Sequence, residues 1–439
     1  MKKQGCLVIM VRVLVANAEK LHGVVNAPPS KGYTQRMLIA AALSNGISSV
    51  TEPLVCEDTE ATLRAVRALG AEVTEEAGCW FVNGTGSVKA GNEPIDCGES
   101  GATLRFMIPV AALAQSPTVF VLGESLSKRP INPLLMSLSE LGVKTAVEQA
   151  SGKTLVHVYG GGIAGGKTRI RGDISSQFIS GLMFACPMAK HDTEVAISTP
   201  LESKEYVRMT ESVLAKHGVK VSIAEDYRSV KIPSGQVYAP CNHLVPGDFS
   251  SAAFLLAAAV VTRSTVSVKN LEYNSIQGDR AIISILKALG VVVEFHAGTI
   301  TVKETQAMLS PLSIDATDIP DLVPVCTVLA CHAEGISKIY GAHRLRYKES
   351  DRLLSLYLEL KKMGAEINFD ADSLTVKGPC RLHGATIDPH GDHRIAMACA
   401  IAALTAEGET AILNAECVQK SYPKFFDDLR GLGAQVLGW

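Results

Sequence analysis

Ala68-Leu69-Gly70-Ala71-Glu72-Val73 ends an amphipathic run and opens a strand-like one. The phrase returns with small changes as ELGVKT (residues 140–145), KHGVKV (216–221), ALGVVV (288–293), KMGAEI (362–367) and GLGAQV (431–436). Its glycines, Gly70, Gly142, Gly218, Gly290, Gly364 and Gly433, are separated by 69 to 76 residues, so six units of about 73 residues fill almost the whole chain. Each glycine stands where a helix should stop. The residue past the last turn is often left-handed, and glycine adopts that conformation without a Cβ penalty. One or two Leu-Gly endings would be ordinary in any α/β chain. Six at near-equal spacing mark an internal repeat.

A second phrase precedes each glycine by about forty residues: a polar turn running into small apolar residues. The copies are PPSKGYTQRMLIAAAL (28–43), CGESGATLRFMIPVAAL (97–113), GDISSQFISGLMFACPM (172–188), PGDFSSAAFLLAAAVV (246–261), ATDIPDLVPVCTVLAC (316–331) and HGDHRIAMACAIAAL (390–404). A helix that is apolar all round is buried all round. Between the phrases lie β-rich stretches such as Thr265-Val266-Ser267-Val268 and Thr299-Ile300-Thr301-Val302. Each unit then supplies one buried helix, one amphipathic helix and several strands, in a βαβαββ order. The expected fold class is α/β, with sheets outside and Ala-rich helices within. Six units divide most simply into two domains of three.

Composition narrows the function. Lys plus Arg number 42 against 44 for Asp plus Glu, a net charge of −2, which argues against a protein that coats nucleic acid. The longest apolar runs, 252–261 and 395–404, hold ten residues each, well short of the roughly 18 needed to span a bilayer. The eleven cysteines form no C-x-x-C pair. They read as small core residues of a cytoplasmic protein rather than as zinc ligands or disulfides. Near the start, Arg12 interrupts the apolar stretch Cys6–Val11, so a first strand over Val8–Val15 is expected rather than a signal peptide.

The starts of the apolar helices gather polar and charged residues: Lys31, Arg36, Glu99, Arg105, Ser175, Ser176, Gln177, Asp248, Ser250, Asp321, Asp392, His393 and Arg394. A helix N-terminus leaves free N–H groups and about half a positive charge, which suits an anion. Ser and Asp there are also routine caps. Lys and Arg are not caps and oppose the dipole, so Lys31, Arg36, Arg105 and Arg394 call for another explanation, which bound anions supply. Lys348 and Arg352, four residues apart, would share a helix face and could hold an anion between them. The alternative is that Glu349 and Asp351 relieve the two cations.

In these phrases the chain resembles the 5-enolpyruvylshikimate-3-phosphate synthases (3-phosphoshikimate 1-carboxyvinyltransferases) from end to end. The matching residues are Pro29-Ser30-Lys31, Gly101 to Arg105, Lys128-Arg129-Pro130, Ser175-Ser176-Gln177, Ser203-Lys204-x-Tyr206, Ile319-Pro320-Asp321, Lys348-Glu349-Ser350-Asp351-Arg352, Asp392-His393-Arg394 and Lys420. The resemblance implies two inside-out, barrel-like α/β domains of three repeats each, 28–243 and 1–27 plus 244–439, with the active site in the cleft between them. It implies transfer of the enolpyruvyl group of phosphoenolpyruvate to the 5-hydroxyl of shikimate 3-phosphate. The hydroxyl attacks C2 while C3 takes a proton, and the tetrahedral intermediate then expels phosphate by C–O cleavage. No cofactor and no metal are implied, and no nucleic-acid or membrane partner; a monomer is expected.

Carried over position by position, Lys31, Gly32, Arg36, Ser175, Ser176, Gln177, Ser203, Tyr206, Asp321, Arg344 and Lys348 would hold shikimate 3-phosphate. Lys31, Gly101, Arg105, Arg129, Gln177, Arg352, Arg394 and Lys420 would hold phosphoenolpyruvate. Asp321 and Glu349 would handle protons, with Lys31 a further catalytic candidate. Four positions depart from the family pattern. Gly32 and Ala102 stand where Ser and Thr are common, and Glu99 and Arg344 where Asn is common. Glu99 would add a negative charge beside an anion site. Losing one hydrogen bond to a phosphate costs about 1.5–3 kcal/mol, for which Thr34 or the Gly32 N–H could compensate. An acceptor such as UDP-N-acetylglucosamine is the alternative, but the Lys-Asn phrase and loop cysteine of those transferases are missing: residues 123–129 read GESLSKR. A non-enzymatic nucleotide- or RNA-binding repeat protein is disfavoured by the scarcity of aromatic platforms.

Overall fold

The computed structural model describes residues 11–439 except Glu19 and Asn92. The expected first strand is found at Val13–Ala16; residues 8–10 of that expectation lie outside the described residues. The fold is mixed α/β, and the described residues form six four-stranded sheets with helices between them.

Every sheet has the same pairing: one parallel contact, then two antiparallel ones. In one, Asn242–Leu244 runs parallel to Asn45–Thr51, which pairs antiparallel with Cys79–Thr85, itself antiparallel to Glu72–Glu76. In another, His22–Asn26 runs parallel to Thr265–Lys269, followed by Thr299–Val302 and Val293–His296. Strands alternate buried and exposed positions, as in Cys79–Thr85, where Trp80 and Val82 point inward. One face therefore meets the helices and the other meets solvent.

The six apolar helices are Lys31–Leu43, Gly101–Ala111, Ser176–Ala185, Phe249–Val261, Val323–His332 and His393–Ala403. All thirteen residues of Phe249–Val261 are buried. Small side chains let such helices pack closely, as Phe249–Val261 does against Val323–His332 and His393–Ala403. The amphipathic helices, such as Glu57–Ala68 and Lys204–Lys216, bury one face only. Each of the six repeat glycines has a left-handed backbone, with φ between 77° and 103°.

Buried apolar side chains form two clusters. One draws on residues 13–27 and 249–436, the other on residues 33–245. The chain passes between them twice, and the two passages lie side by side. Asp248 N–H donates to Pro28 O at 2.8 Å and Ser30 N–H to Pro246 O at 2.7 Å. Each passage leads straight into an apolar helix, Lys31–Leu43 or Phe249–Val261, so those two helix starts are fixed relative to each other.

Gly218 provides a clean test of the helix stops. Its φ is +77° and a Cβ there would meet nothing within 4 Å, so Gly218→Ala should cost only the left-handed backbone strain, about 1–2 kcal/mol. Gly431→Ala, where space is open and φ is not positive, should be neutral or slightly stabilising. Urea unfolding of the two variants beside the parent measures both.

Candidate functional site

All six apolar helices begin on one cleft. Its lining includes Lys31, Gly101, Ser176, Ser250, Asp321 and Arg394, each at or beside one of those starts. Five of the starts carry a side-chain cap: Ser30, Ser100, Ser175, Asp248 and Asp392 each accept a backbone N–H of the first turn. The sixth is preceded by the turn Pro320–Leu322. The caps at these starts are Ser and Asp, and the cations Lys31, Arg36, Arg105 and Arg394 stand one to six positions further on.

Eight lysines and arginines line the cleft against five carboxylates. Most of the acids are spent on several partners at once. Asp58 accepts from Lys31 Nζ and from Lys420 Nζ, both at 2.9 Å. Asp321 meets Arg352 at 2.8 Å, Arg394 at 3.3 Å and Lys348 at 3.4 Å. Glu349 meets Arg352 at 2.8 Å and Arg129 at 3.0 Å. Asp248 holds the Lys31 N–H at 3.2 Å and the Ser251 N–H at 2.8 Å.

Charges this close reset proton affinities. Burial would raise Asp321, but Arg394, Lys348 and Arg352 outweigh it and hold the carboxyl well below its ordinary range. Glu349 is likewise held well below by Arg129 and Arg352, against its burial. Burial would lower the Lys31 ammonium, and Asp58, with Cys56 and Glu349, together more than offset that. Lys348 is the exception among the lysines: burial pushes it down to about 8 despite Asp321. Burial also keeps His393 neutral, well below the usual imidazole value, with neither ring nitrogen hydrogen bonded.

Among the described residues, two buried arginines have no carboxylate within ion-pair distance. Arg36 donates to Thr210 Oγ1, Gly32 O and Tyr206 O, and its guanidinium lies 5.0 Å from the Phe106 ring centroid. Arg105 donates to Gln177 Oε1 at 2.8 Å and Pro130 O at 3.3 Å and lies 5.3 Å from the Phe178 ring centroid, with its Nε unpartnered. Burial pushes Arg36 down to about 10 and Arg105 down to about 9, so both are still charged near neutrality. A desolvated cation without a counter-charge is costly, and an incoming anion relieves that cost. Gly101 leaves room for a neighbouring cation: a Cβ there would lie 2.8 Å from Arg129 Nη1.

Every residue assigned to substrate or catalysis from the sequence lines this cleft except Lys420; the helix-start residues Glu99 and Asp392 are not among its lining. Lys420 lies behind it, buried, donating to Asp58 Oδ1 and, at 2.7 Å, to Glu99 O. Three expectations need correction. Lys348 and Arg352 do not share a helix face. The helix begins at Arg352 with Asp351 as cap, Lys348 is extended, and the two cations meet on Asp321 Oδ1. Thr34 cannot replace the hydroxyl missing at Gly32, because its buried Oγ1 donates to Ser30 O and accepts from Leu54 N–H. Glu99 does not line the cleft; its two carboxylate oxygens accept the N–H groups of Ser125 and Leu126.

Sequence reasoning missed Asp58, which reads as an ordinary first-turn acid of an amphipathic helix. It also missed Asp279, a buried cleft residue that accepts from Ser250 Oγ while its Oδ1 has no partner. Burial and neighbouring Asp321 push its carboxyl up to about 7. No local pattern marks either residue, since each matters only through residues far away in the chain. Among the described residues no group of three or more His, Cys, Asp or Glu side chains is arranged for a metal ion, and no helix is long and apolar enough to cross a membrane.

A mixed α/β protein whose helix starts and buried cations converge on one cleft belongs to the class that handles small, multiply charged anions. The family model for EPSP synthase (3-phosphoshikimate 1-carboxyvinyltransferase) matches residues 15–429, and the chain belongs to that family. It is 42% identical to a 3-phosphoshikimate 1-carboxyvinyltransferase of Methanocorpusculum labreanum, over 96% of this chain and 99% of that one. It is 40% identical to the Methanocaldococcus jannaschii protein of the same name, over 97% and 99%. The EPSP synthase structure from Acinetobacter baumannii superposes with a TM-score of 0.81 at 27% identity, covering 97% of this chain and 99% of that one.

A contribution of Lys348 to anion binding would make that binding sensitive to pH. The lysine carries its charge below about 8 and loses it above, so sulfate, whose own charge is fixed, should bind more weakly as pH rises through that value. The expected loss is roughly tenfold, the worth of one hydrogen bond to a charged group. Lys348→Arg should move the fall to higher pH. Thermal-shift titration with sulfate, against chloride at matched ionic strength, gives both numbers; an unchanged affinity across that range would contradict the assignment.

Proposed function

We propose that this protein is a 3-phosphoshikimate 1-carboxyvinyltransferase, transferring the enolpyruvyl group of phosphoenolpyruvate to the 5-hydroxyl of shikimate 3-phosphate with release of phosphate, a step toward aromatic amino acids. The observation that carries the reading is the cleft with its eight cations, drawn from both apolar clusters. Two multiply charged anions repel each other, and bringing them together requires fixed positive charge in a site of low dielectric. A chain with a net charge of −2 that concentrates its cations in this way is organised for that task.

On this reading the two clusters are the cores of two three-repeat domains, 28–243 and 1–27 plus 244–439, hinged at the paired passages. Arg36, Ser175, Ser176, Gln177, Ser203, Tyr206, Arg344 and Lys348 take shikimate 3-phosphate; unpaired Arg36 and serine-rich helix starts suit carboxylate and phosphate oxygens. Lys31, Gly101, Arg105, Arg129, Arg352, Arg394 and Lys420 form the phosphoenolpyruvate side. Arg352 is already held by Asp321, Glu349 and Asp392, so its part is to fix those carboxylates as much as to meet substrate.

The proton steps fall to Asp321, Glu349 and Lys31. In the free protein both carboxylates are ionised and able to accept a proton. Substrate anions that compete for Arg129, Arg394 and Lys348 weaken the hold of those cations on Asp321 and Glu349, and each carboxyl rises toward its ordinary value. One then accepts the hydroxyl proton as oxygen attacks C2, and a protonated group delivers to C3. Loss of a proton from the new methyl group restores the double bond as phosphate leaves. The protein works as a small-molecule enzyme of the cytoplasm, without nucleic acid, and as a monomer.

The deciding experiment mixes the pure protein with phosphoenolpyruvate and shikimate 3-phosphate and follows phosphate release and the enolpyruvyl ether by NMR. A parallel run uses UDP-N-acetylglucosamine. Turnover only in the first mixture is expected, and turnover only in the second would sink the proposal. Gly32→Ser probes the family departure. A Cβ at Gly32 would sit 3.4 Å from Met209 Cε and 3.5 Å from Arg36 Nη1, at ordinary contact distance, so the backbone site tolerates the added Cβ. The KM for shikimate 3-phosphate should drop roughly tenfold, the value of one added hydrogen bond to a phosphate. An unchanged KM would mean that the Gly32 N–H already satisfies that oxygen.

A further inference from the structure

The Asn-to-Glu departure at residue 99 takes part in an extended set of contacts. Its Oε1 accepts from Ser125 N–H at 3.1 Å and its Oε2 from Leu126 N–H at 2.7 Å. Those groups open the short helix Glu124–Ser127, whose own start at Gly123 offers no side-chain cap. The turn is built for this fit: a Cβ at Gly123 would collide with the Glu99 carboxylate and lie 2.7 Å from Gly98 O. Gly123 N–H also donates to Gly98 O at 2.8 Å.

The segment held in this way reaches across to residues of the other apolar cluster. Ser125 Oγ donates to Glu349 O at 3.0 Å. Arg129 donates through Nε to Lys348 O at 3.1 Å and pairs through Nη2 with the Glu349 carboxylate at 3.0 Å. The main chain of Glu99 makes a further cross-contact, since its carbonyl receives Lys420 Nζ at 2.7 Å. Glu99 thus joins the start of helix Gly101–Ala111, the Arg129 segment and Lys420. It does not line the cleft.

We propose that Glu99 is a positioning residue for the phosphoenolpyruvate side of the cleft: its two carboxylate oxygens fix helix Glu124–Ser127 and so set where Arg129 and Ser125 meet Glu349. An asparagine offers one acceptor oxygen where this carboxylate offers two. The substitution therefore tightens the segment instead of charging the site. The inference rests on the proposed transferase reading.

Its test is the steady-state kinetics of Glu99→Ala and Glu99→Gln beside the parent protein. The alanine variant loses both acceptors, and kcat/KM for phosphoenolpyruvate should fall roughly 10- to 100-fold, the range for lost hydrogen bonds to a charged group. The KM for shikimate 3-phosphate should stay within about twofold, because the side-chain hydrogen bonds of Arg36, Ser203 and Tyr206 do not involve the 123–129 segment. Glu99→Gln keeps one acceptor and should recover part of the loss. It also keeps the test open if the alanine variant folds poorly. An unchanged phosphoenolpyruvate constant in the alanine variant would overturn the proposal, as would an equal rise of both KM values or a glutamine variant no better than alanine. If the parent itself turns over neither pair of substrates, the transferase reading has failed instead.

Discussion

The fold carries more positive than negative charge inside one cleft, and those charges must be kept there without substrate. Removing ions from water is expensive, and pairing repays the cost only when geometry is close and every charge is met. Here three of the acids are shared: Asp58 between two lysines, Asp321 among three cations, Glu349 between two arginines. Sharing leaves some cations short of a partner, Arg36 and Arg105 above all. A bound anion removes that shortfall, so affinity for anions follows from how the carboxylates are distributed.

This distribution depends on the way the chain is threaded. The two passages near residues 28 and 247 are hydrogen bonded to each other and deliver two helix starts side by side. Asp248 then caps its own helix and holds the first N–H of the other. Further across the cleft, contacts such as Lys420 with Asp58 and Arg129 with Glu349 join residues more than two hundred positions apart. Each is a charge pair that would be exposed and weak if the two clusters moved apart. Their strength depends on the cleft being narrow enough to exclude water.

Much of the scaffold was legible in the sequence. The six glycine stops appear as left-handed residues, and the Ala-rich phrases appear as the buried helices, because φ preference and apolar periodicity are local properties. The cations at helix starts were legible for a related reason: a Lys or Arg against the dipole is a local conflict that something distant must resolve. Local reading failed where a residue's partner lay elsewhere. Thr34 looked available beside Gly32 but is consumed by Ser30 and Leu54. Lys348 and Arg352 looked like a helical pair, yet the helix cap at Asp351 falls between them.

The sequence alone determined that the chain repeats, where its helices stop, which of them are wholly buried and which basic residues stand at their starts. These follow from backbone conformation, hydrophobic period and the helix dipole, all of which act over a few residues. Only the tertiary structure decided which carboxylate faces which cation, that Asp58 and Asp279 belong to the site, and that Glu99 is spent on a helix rather than on the cleft. Coulomb energy and desolvation depend on distance through space, and distance along the chain does not encode it.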